Sequence, residues 1–370
     1  MTRRDLIALT LGASAATAAC SRKLATRYFG WLFVASAGEK AIAVADLAEF
    51  RRASVIPLGE VPSQILRVGD RVFATCPAAR LLTEIDTRHF KVGNRVQLPG
   101  RIVSAVTVPD SNLIVAAIAQ PAALVVIDSK TLKITGRMPL TGDPSALDVT
   151  SEMAVVAADG AGTVARVSLK TGKLLGVTNL GDRAASMRFR RDGKAILVGL
   201  PRSQQIVSMD AATGGILSRL PLRFAPGRFC FNADGGQMFV TGAGEDAIAI
   251  VSPFQSQVDQ TIVGGRTPYA MAVSTTRNQL LITNPDSGDL TILDIDTRKL
   301  SASVHVGGNP GEVLLTPDEE YALVLNRDEG DVSVIRMNTV LDKTIRTKPL
   351  FTVFQMGSSP QSAIIIPKEA

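Results

Sequence analysis

The 370-residue sequence has little of what most catalytic centres and helical folds use. It contains two histidines, three cysteines and one tryptophan, and aromatic residues make up 5% of the chain. So few histidines disfavour a histidine-rich zinc site or a histidine-ligated haem. No segment of helix length in the body of the chain repeats apolar residues at a helical period, which disfavours a helical fold. The basic residues are dispersed and aromatics are scarce, so we expect no nucleic-acid binding.

What the chain does have is apolar residues, at 46%, against 20% charged residues and a formal net charge of +6. This composition is typical of a folded protein with a large core and excludes a disordered chain.

Residues 1–20 predict an export signal. Arg3 and Arg4 precede an apolar segment, Leu6–Ala19, which is shorter than the roughly 20 residues that span a bilayer. The arginine pair resembles a twin-arginine signal, and the small residues before Cys20 resemble a lipoprotein cleavage box with Cys20 as the lipidated residue. We therefore expect an extracytoplasmic protein. The alternative is a plain secretory signal with Cys20 incidental.

After a short linker at residues 21–27, we expect residues 28–370 to form one domain, built from a repeat of about 42 residues. Residues 264–297 and 307–339 match when they are aligned on a proline, and the alignment extends through the chain. The aligned landmark residues are Pro62, Ile102, Pro144, Ala184, Pro226, Pro268, Pro310 and Pro360. Each unit holds short runs rich in Val, Ile, Leu and Thr between polar turns, which predicts four antiparallel strands.

Eight such units predict an all-β fold, a β-propeller with eight blades. A seven-bladed ring is the alternative, because repeats 142–180 and 181–222 are weakly patterned. Only one strand follows the last landmark, whereas residues 31–58 supply three strands before the first. We therefore expect the last blade to contain strands from both termini, with Trp31 as a buried anchor. The longer last interval predicts extended strands near Leu341–Phe351.

Two runs at the ends of predicted second strands carry a family resemblance. Leu281-Ile282-Thr283-Asn284 and Leu323-Val324-Leu325-Asn326 resemble the Tyr-Val-Thr-Asn repeat of the bacterial exported YVTN β-propellers. Gly307-Gly308-Asn309-Pro310 and Thr316-Pro317-Asp318 also match the pattern of that family. The resemblance covers roughly residues 28–367. It implies an extracytoplasmic propeller of seven or eight blades and says little about activity.

The sequence lacks three common motifs of functional sites: no Gly-x-Ser-x-Gly motif of serine hydrolases, no phosphate loop and no Cys-x-x-Cys pair occurs. By repeat register, His89 lies in a turn between third and fourth strands and His305 on a fourth strand, so both are expected at the outer rim. Cys76 and Cys230 lie in different repeats and predict small buried side chains. We expect neither a cofactor nor a metal site.

The repeat register also predicts which residues surround the central channel. Two residues after each landmark come Gln64, Ser104, Ala146, Ser186, Arg228, Ala270, Glu312 and Ser362, the first ring. Two residues further come Leu66, Val106, Asp148, Arg188, Cys230, Ala272, Leu314 and Ile364, the second ring. Asp148 and Arg188 belong to consecutive repeats, which predicts an ion pair between neighbouring blades.

The loops that join successive blades predict a binding face at one end of the channel. The candidate ligand-binding residues there are Arg228, Glu312, Arg266, Tyr269, Gln361 and Gln64. The arginines favour an anionic or polyhydroxylated ligand, with Arg228 as the most inward cation and Glu312 orienting it.

These features favour an exported, non-catalytic binding or scaffold protein that takes a protein, a glycan or a small ligand. We expect a monomer that touches a membrane only through lipid on Cys20. The alternative is a lactonase-like or other hydrolase with its site at the channel mouth. A third hypothesis is a dehydrogenase-like propeller with a cofactor. Twin-arginine signals export proteins that are already folded, so such a protein can carry a bound cofactor through export.

Overall fold

The computed structural model describes residues 28–159, 162–341 and 348–368. The predicted export signal, Cys20 and the linker at residues 21–27 lie outside the described residues. The first three strands are β1 (Gly30–Ser36), β2 (Ala41–Asp46) and β3 (Arg51–Pro57).

The next strands form seven four-stranded sheets, blades 1 to 7, each made of consecutive strands. Blades 1 and 2 contain β4 (Gln64–Val68), β5 (Arg71–Cys76), β6 (Leu81–Asp86), β7 (Lys91–Gln97), β8 (Arg101–Thr107), β9 (Leu113–Ala119), β10 (Ala123–Asp128) and β11 (Lys133–Pro139). Blades 3 and 4 contain β12 (Pro144–Val149), β13 (Met153–Ala158), β14 (Thr163–Ser168), β15 (Leu174–Asn179), β16 (Ser186–Phe189), β17 (Ala195–Leu200), β18 (Gln205–Asp210) and β19 (Ile216–Pro221). Blades 5 and 6 contain β20 (Pro226–Phe231), β21 (Met238–Gly242), β22 (Ala247–Ser252), β23 (Gln257–Val263), β24 (Met271–Ser274), β25 (Gln279–Asn284), β26 (Asp289–Asp294) and β27 (Leu300–His305). Blade 7 contains β28 (Pro310–Leu315), β29 (Tyr321–Asn326), β30 (Asp331–Arg336) and β31 (Leu350–Gln355), with the short helix α1 (Met337–Leu341) before β31.

The last strand, β32 (Pro360–Pro367), closes the ring. It is the innermost strand of blade 8, whose order is β3-β2-β1-β32. β1 and β32 pair antiparallel, with Trp31 opposite Ile366 and Phe33 opposite Ile364. The predictions of an eight-bladed all-β propeller and of a last blade built from both termini are therefore confirmed.

The core is divided into eight apolar clusters, one between each pair of neighbouring blades. Phe73 of blade 1 packs in one cluster with Ile114 of blade 2, and Leu32 of blade 8 packs with Tyr321 of blade 7. Second and third strands are apolar on both faces because both faces are covered by other blades. Since blade 8 packs on blades 7 and 1, both faces of the closing sheet are covered within the described ranges.

The asparagine that ends a second strand holds the following turn. The Asn326 amide donates to the carbonyl of Val306 at 2.8 Å, to the Asp331 carboxylate at 2.7 Å and to the Ser333 hydroxyl at 3.0 Å. Because all these atoms are buried, the bonds compensate for lost hydration. The asparagine of the repeat therefore has a structural role.

The extra residues of the last repeat do not lengthen its strands, so that prediction is wrong. β31 has six residues, like its partner β30, and the insertion instead forms the connection that contains α1. Residues 342–347 of this connection lie outside the described residues. A strand can extend only as far as its neighbour pairs with it, so unmatched residues leave the sheet. No helix in the described ranges has the length and apolar character needed to cross a bilayer.

Candidate functional site

Two sets of loops lie at one end of the channel. The loop that enters each blade and the turn between its second and third strands lie at the same end, because adjacent strands are antiparallel. We call this end the mouth. All eight landmark residues are buried here, where each chain segment turns into an innermost strand.

Side chains of the first ring connect the innermost strands to one another. Glu312 Oε2 accepts the N–H of Ala363 at 2.9 Å, and Gln64 Oε1 accepts the N–H of Ala105 at 3.2 Å. In both cases the acceptor belongs to one blade and the donor to the next. An innermost strand has an unpaired edge toward the channel, so its N–H groups need such partners.

A β-bulge presents Arg228 at the mouth. β20 has one more residue than β21 between Pro226 and Phe229, and the Thr241 hydroxyl accepts the N–H of Arg228 at 2.8 Å. Bulges commonly re-aim a side chain in this way. The Arg228 side chain is exposed to solvent.

Tyr269 lies between two arginines from the blades on either side of its own. The Arg228 guanidinium is 4.1 Å from the centre of the Tyr269 ring, and that of Arg327 is 4.7 Å away. Both also donate to the phenol oxygen, at 2.5 Å from Arg228 and 3.1 Å from Arg327. We call these three residues the arginine–tyrosine cluster.

Sequence reasoning missed Arg327. It follows β29 directly, in a turn between second and third strands, and such turns share the mouth with the inter-blade loops. A Cβ on Gly311 would lie 2.8 Å from Arg327 Nε, so a glycine is needed for the guanidinium to lie against β28. The glycine after the landmark proline was the available sequence signal.

The pKa values of two titratable groups at the mouth shift in opposite directions, although the arginine charges lower both. Burial would raise the pKa of Tyr269, but the positive charge of Arg228, with the contacts of Arg327, outweighs burial and lowers it below its ordinary value. Burial raises the pKa of Glu312, and its bond from Ala363 and the two arginines do not offset this. The mouth therefore favours an anionic tyrosine and a protonated glutamate more than water does.

The other predicted binding residues lie at the mouth without joining the cluster. Gln361 donates to the carbonyl and the hydroxyl of Ser359, so it braces its own loop. Gln64 is engaged with blade 2, as described above. Arg266 is exposed in the loop between β23 and β24.

The predicted ion pair of Asp148 with Arg188 is wrong. The two residues do lie on neighbouring innermost strands, but the Asp148 carboxylate accepts the N–H of Phe189 at 2.7 Å. Arg188 donates to the carbonyl of Met187 at 3.1 Å, and no ion pair within 4.0 Å joins it to Asp148 in the described part of the chain. The unpaired edge of β16 needs an acceptor for its N–H, and the carboxylate supplies it.

A different arginine ties blades 3 and 4 together. Arg166, on β14, is 4% exposed and donates to three carbonyls of the turn between β18 and β19, those of Ala211, Ala212 and Thr213. Three bonds from a charged donor to one turn fix the position of blade 4 against blade 3.

The histidines lie where the register placed them. His89 is in the turn between β6 and β7 beside Asp86, and His305 ends β27 beside Asp289. Both are exposed and on outer strands or their turns. Burial raises the pKa of the Cys76 and Cys230 thiols to about 11, which disfavours the reactive thiolates.

The face opposite the mouth carries a groove of about 870 Å³ between blades 8 and 1. Trp31 lines it, half-buried, with Phe90 at 4.9 Å between ring centres and the Lys368 ammonium 4.1 Å from its ring. Basic groups here have acidic partners: Arg71 pairs with Glu84 at 2.6 Å. The mouth, where two arginines share one phenol, is the better candidate for ligand binding.

Comparisons with known proteins agree with the fold. No protein-family model matches the chain. A seven-bladed β-propeller protein of Mycobacterium tuberculosis, Rv1057, is 23% identical over 124 residues, which are 32% of this chain and 32% of that protein. The matched segment thus spans about a third of that relative.

Two solved structures are similar over most of the chain. The dihydro-heme d1 dehydrogenase NirN in complex with DHE has a TM-score of 0.75 and 15% identity, and the match covers 90% of this chain and 74% of that one. BamB from Moraxella catarrhalis has a TM-score of 0.61 and 12% identity, with 81% and 89% covered. At these identities the likeness supports the propeller fold alone.

Proposed function

We propose that this protein is an exported, non-catalytic β-propeller of the YVTN type that binds an anionic ligand at its mouth. The arginine–tyrosine cluster carries the proposal. Tyr269 aligns two guanidinium groups, each of which keeps further N–H donors for a carboxylate or phosphate. A ligand anion would thus meet two aligned donors at low entropic cost.

Calorimetric titration of the purified protein with hexanoate, glucuronate and inorganic phosphate tests this function. At least one anion is expected to bind, and Arg228→Ala together with Arg327→Ala should weaken that binding about tenfold or more. Arg202→Ala is the matched control, because Arg202 is an exposed arginine of the same face outside the cluster. If none of the anions binds, or if the paired variant binds as the wild type does, the function is wrong.

Export and lipid attachment belong to the same proposal and rest on residues 1–20. Cells that express the protein with a labelled fatty acid should label the wild type and not Cys20→Ala. If the wild type is unlabelled but is found outside the cytoplasm, the plain secretory signal is correct. A protein that stays in the cytoplasm would contradict export.

A hydrolase is the second candidate, favoured by the opposite pKa shifts of Glu312 and Tyr269 at one mouth. A panel of lactones and esters tests it, with Tyr269→Phe as the inactive comparison. A histidine-ligated cofactor fits poorly, because His89 and His305 both lie at the outer rim. An absorbance spectrum of the purified protein tests the hypothesis of a dehydrogenase-like propeller with a bound cofactor.

A further inference from the structure

Arg188 lies inside the channel, below the mouth. It is at the fifth position of blade 4 counted from the landmark residue, while Arg228 is at the third position of blade 5. All innermost strands run from the mouth into the channel, so Arg188 lies two residues deeper than Arg228. Two residues of a strand correspond to about 7 Å.

The guanidinium of Arg188 is available to a ligand. Its side chain is exposed, and one of its N–H groups is used by the carbonyl of Met187 at 3.1 Å. The neighbouring carboxylate of Asp148 is bonded to the N–H of Phe189 instead, and no ion pair to Arg188 occurs among the described residues. Burial raises the pKa of Asp148 and the positive charge of Arg188 opposes this rise, so Asp148 acts on Arg188 through space and not through a direct contact.

The rest of the second ring does not neutralise Arg188. Five of its members are apolar: Leu66, Val106, Ala272, Leu314 and Ile364. Cys230 is beside Arg188, and burial raises the pKa of its thiol to about 11, so it is neutral at physiological pH. A cation between apolar walls attracts anions more strongly than one on an open surface.

We propose that Arg188 is a second anion-binding subsite, so that the ligand of this protein is an elongated dianion of the dicarboxylate class. One carboxylate binds Arg228 and Arg327 at the mouth, and the other binds Arg188 inside the channel. The five apolar members of the second ring lie at the depth of Arg188, so they face the end of the hydrocarbon next to the second carboxylate. This inference rests on the proposed function, because it takes the mouth as the first subsite.

The test compares linear dicarboxylates with monocarboxylates of equal length by calorimetry on the full chain. The pairs are succinate with butyrate, adipate with hexanoate, and suberate with octanoate. We expect at least one dicarboxylate to bind about tenfold or more tightly than its partner, since a second charge-assisted contact adds at least that factor. Arg188→Ala should abolish the difference, and Arg188→Lys should retain part of it.

Arg67→Ala is the matched control. Arg67 is an exposed arginine on the innermost strand β4, and its guanidinium lies 3.9 Å from the carboxylate of Asp70. Melting temperatures check that each variant is folded. If every dicarboxylate binds like its monocarboxylate, or if Arg188→Ala keeps the preference, this inference is overturned while the mouth stands. If none of these acids binds, this inference fails, and the proposed function fails with it only if glucuronate and phosphate also do not bind. If the acids bind but Arg228→Ala with Arg327→Ala changes neither series, the proposed function and this inference both fail.

Discussion

Tyr269 departs from the ordinary behaviour of its residue type because of its neighbours. Arg228 and Arg327 lower the pKa of its phenol, whereas burial raises the pKa of Tyr28 and Tyr321, the two other tyrosines. Ultraviolet titration of phenolate absorbance should show one tyrosine ionising below the ordinary pKa of 10.0 and two above it. Tyr269→Phe should remove the early step. An early step that survives this substitution would contradict the cluster.

Arg166 and Arg188 illustrate how differently one residue type can act in neighbouring blades. Arg166→Ala removes a buried donor from three carbonyls, and we expect it to lower the free energy of unfolding by about 3 kcal/mol. Arg188→Ala removes an exposed side chain and should change stability by no more than about 0.5 kcal/mol. Denaturant unfolding of both variants checks this. Equal losses would mean that Arg188 does carry the contact between blades.

Single residues were predictable from the sequence as far as the repeat register reaches. The register places Arg228 and Tyr269 at one mouth because both follow a landmark proline closely. It could not place Arg327, which comes from a different loop, nor reveal that Asp148 prefers a backbone N–H. Choices between competing partners depend on where each side chain lies in space, and a repeat alignment does not contain that information.

At the level of elements, the threonine near the end of a second strand supports the start of the innermost strand. The Thr241 hydroxyl accepts the N–H of Arg228 at 2.8 Å, and the Thr75 hydroxyl accepts that of Gln64 at 3.1 Å. Both threonines are buried. Threonine to valine keeps the shape but leaves an N–H without its acceptor.

We therefore expect Thr241→Val and Thr75→Val each to cost about 1–3 kcal/mol of stability. Only Thr241→Val should also weaken anion binding, because it loosens the bulge that presents Arg228. Thermal unfolding and calorimetric titration with hexanoate measure the two effects. Equal binding by both variants would show that the bulge does not position the arginine.

Element bounds followed from the sequence wherever a strand is paired on both sides. The predicted strand Tyr321–Asn326 is β29 to the residue, because apolar residues on both faces mark it clearly. The connection between β30 and β31 differs from the sequence prediction. No neighbouring strand defines its pattern, and Met337 instead packs in the cluster between blades 6 and 7.

For the whole molecule, stability depends on the closing blade. β32 supplies the innermost strand of blade 8, and Ala363 packs in the cluster with blade 7. Deletion of residues 361–370 would expose the edge of β1 and remove apolar burial at the same time. We expect an insoluble protein or a large fall in melting temperature. A truncated protein that melts like the full chain would contradict closure by β32.

A circular permutant tests the same closure without removing any strand. The N–H of Lys368 donates to the carbonyl of Phe29 at 3.2 Å, so the end of β32 lies beside the start of β1. A short flexible linker can therefore join residue 368 to residue 28, and new termini can be opened between Gly59 and Glu60, which are both exposed.

Because blade 8 then becomes continuous in sequence, the permutant should be soluble and should unfold cooperatively near the melting temperature of the protein with its original chain order. The same permutant without β32 is the control and should not fold. A permutant with intact β32 that fails to fold would show that the two chain ends do not meet in blade 8 as described.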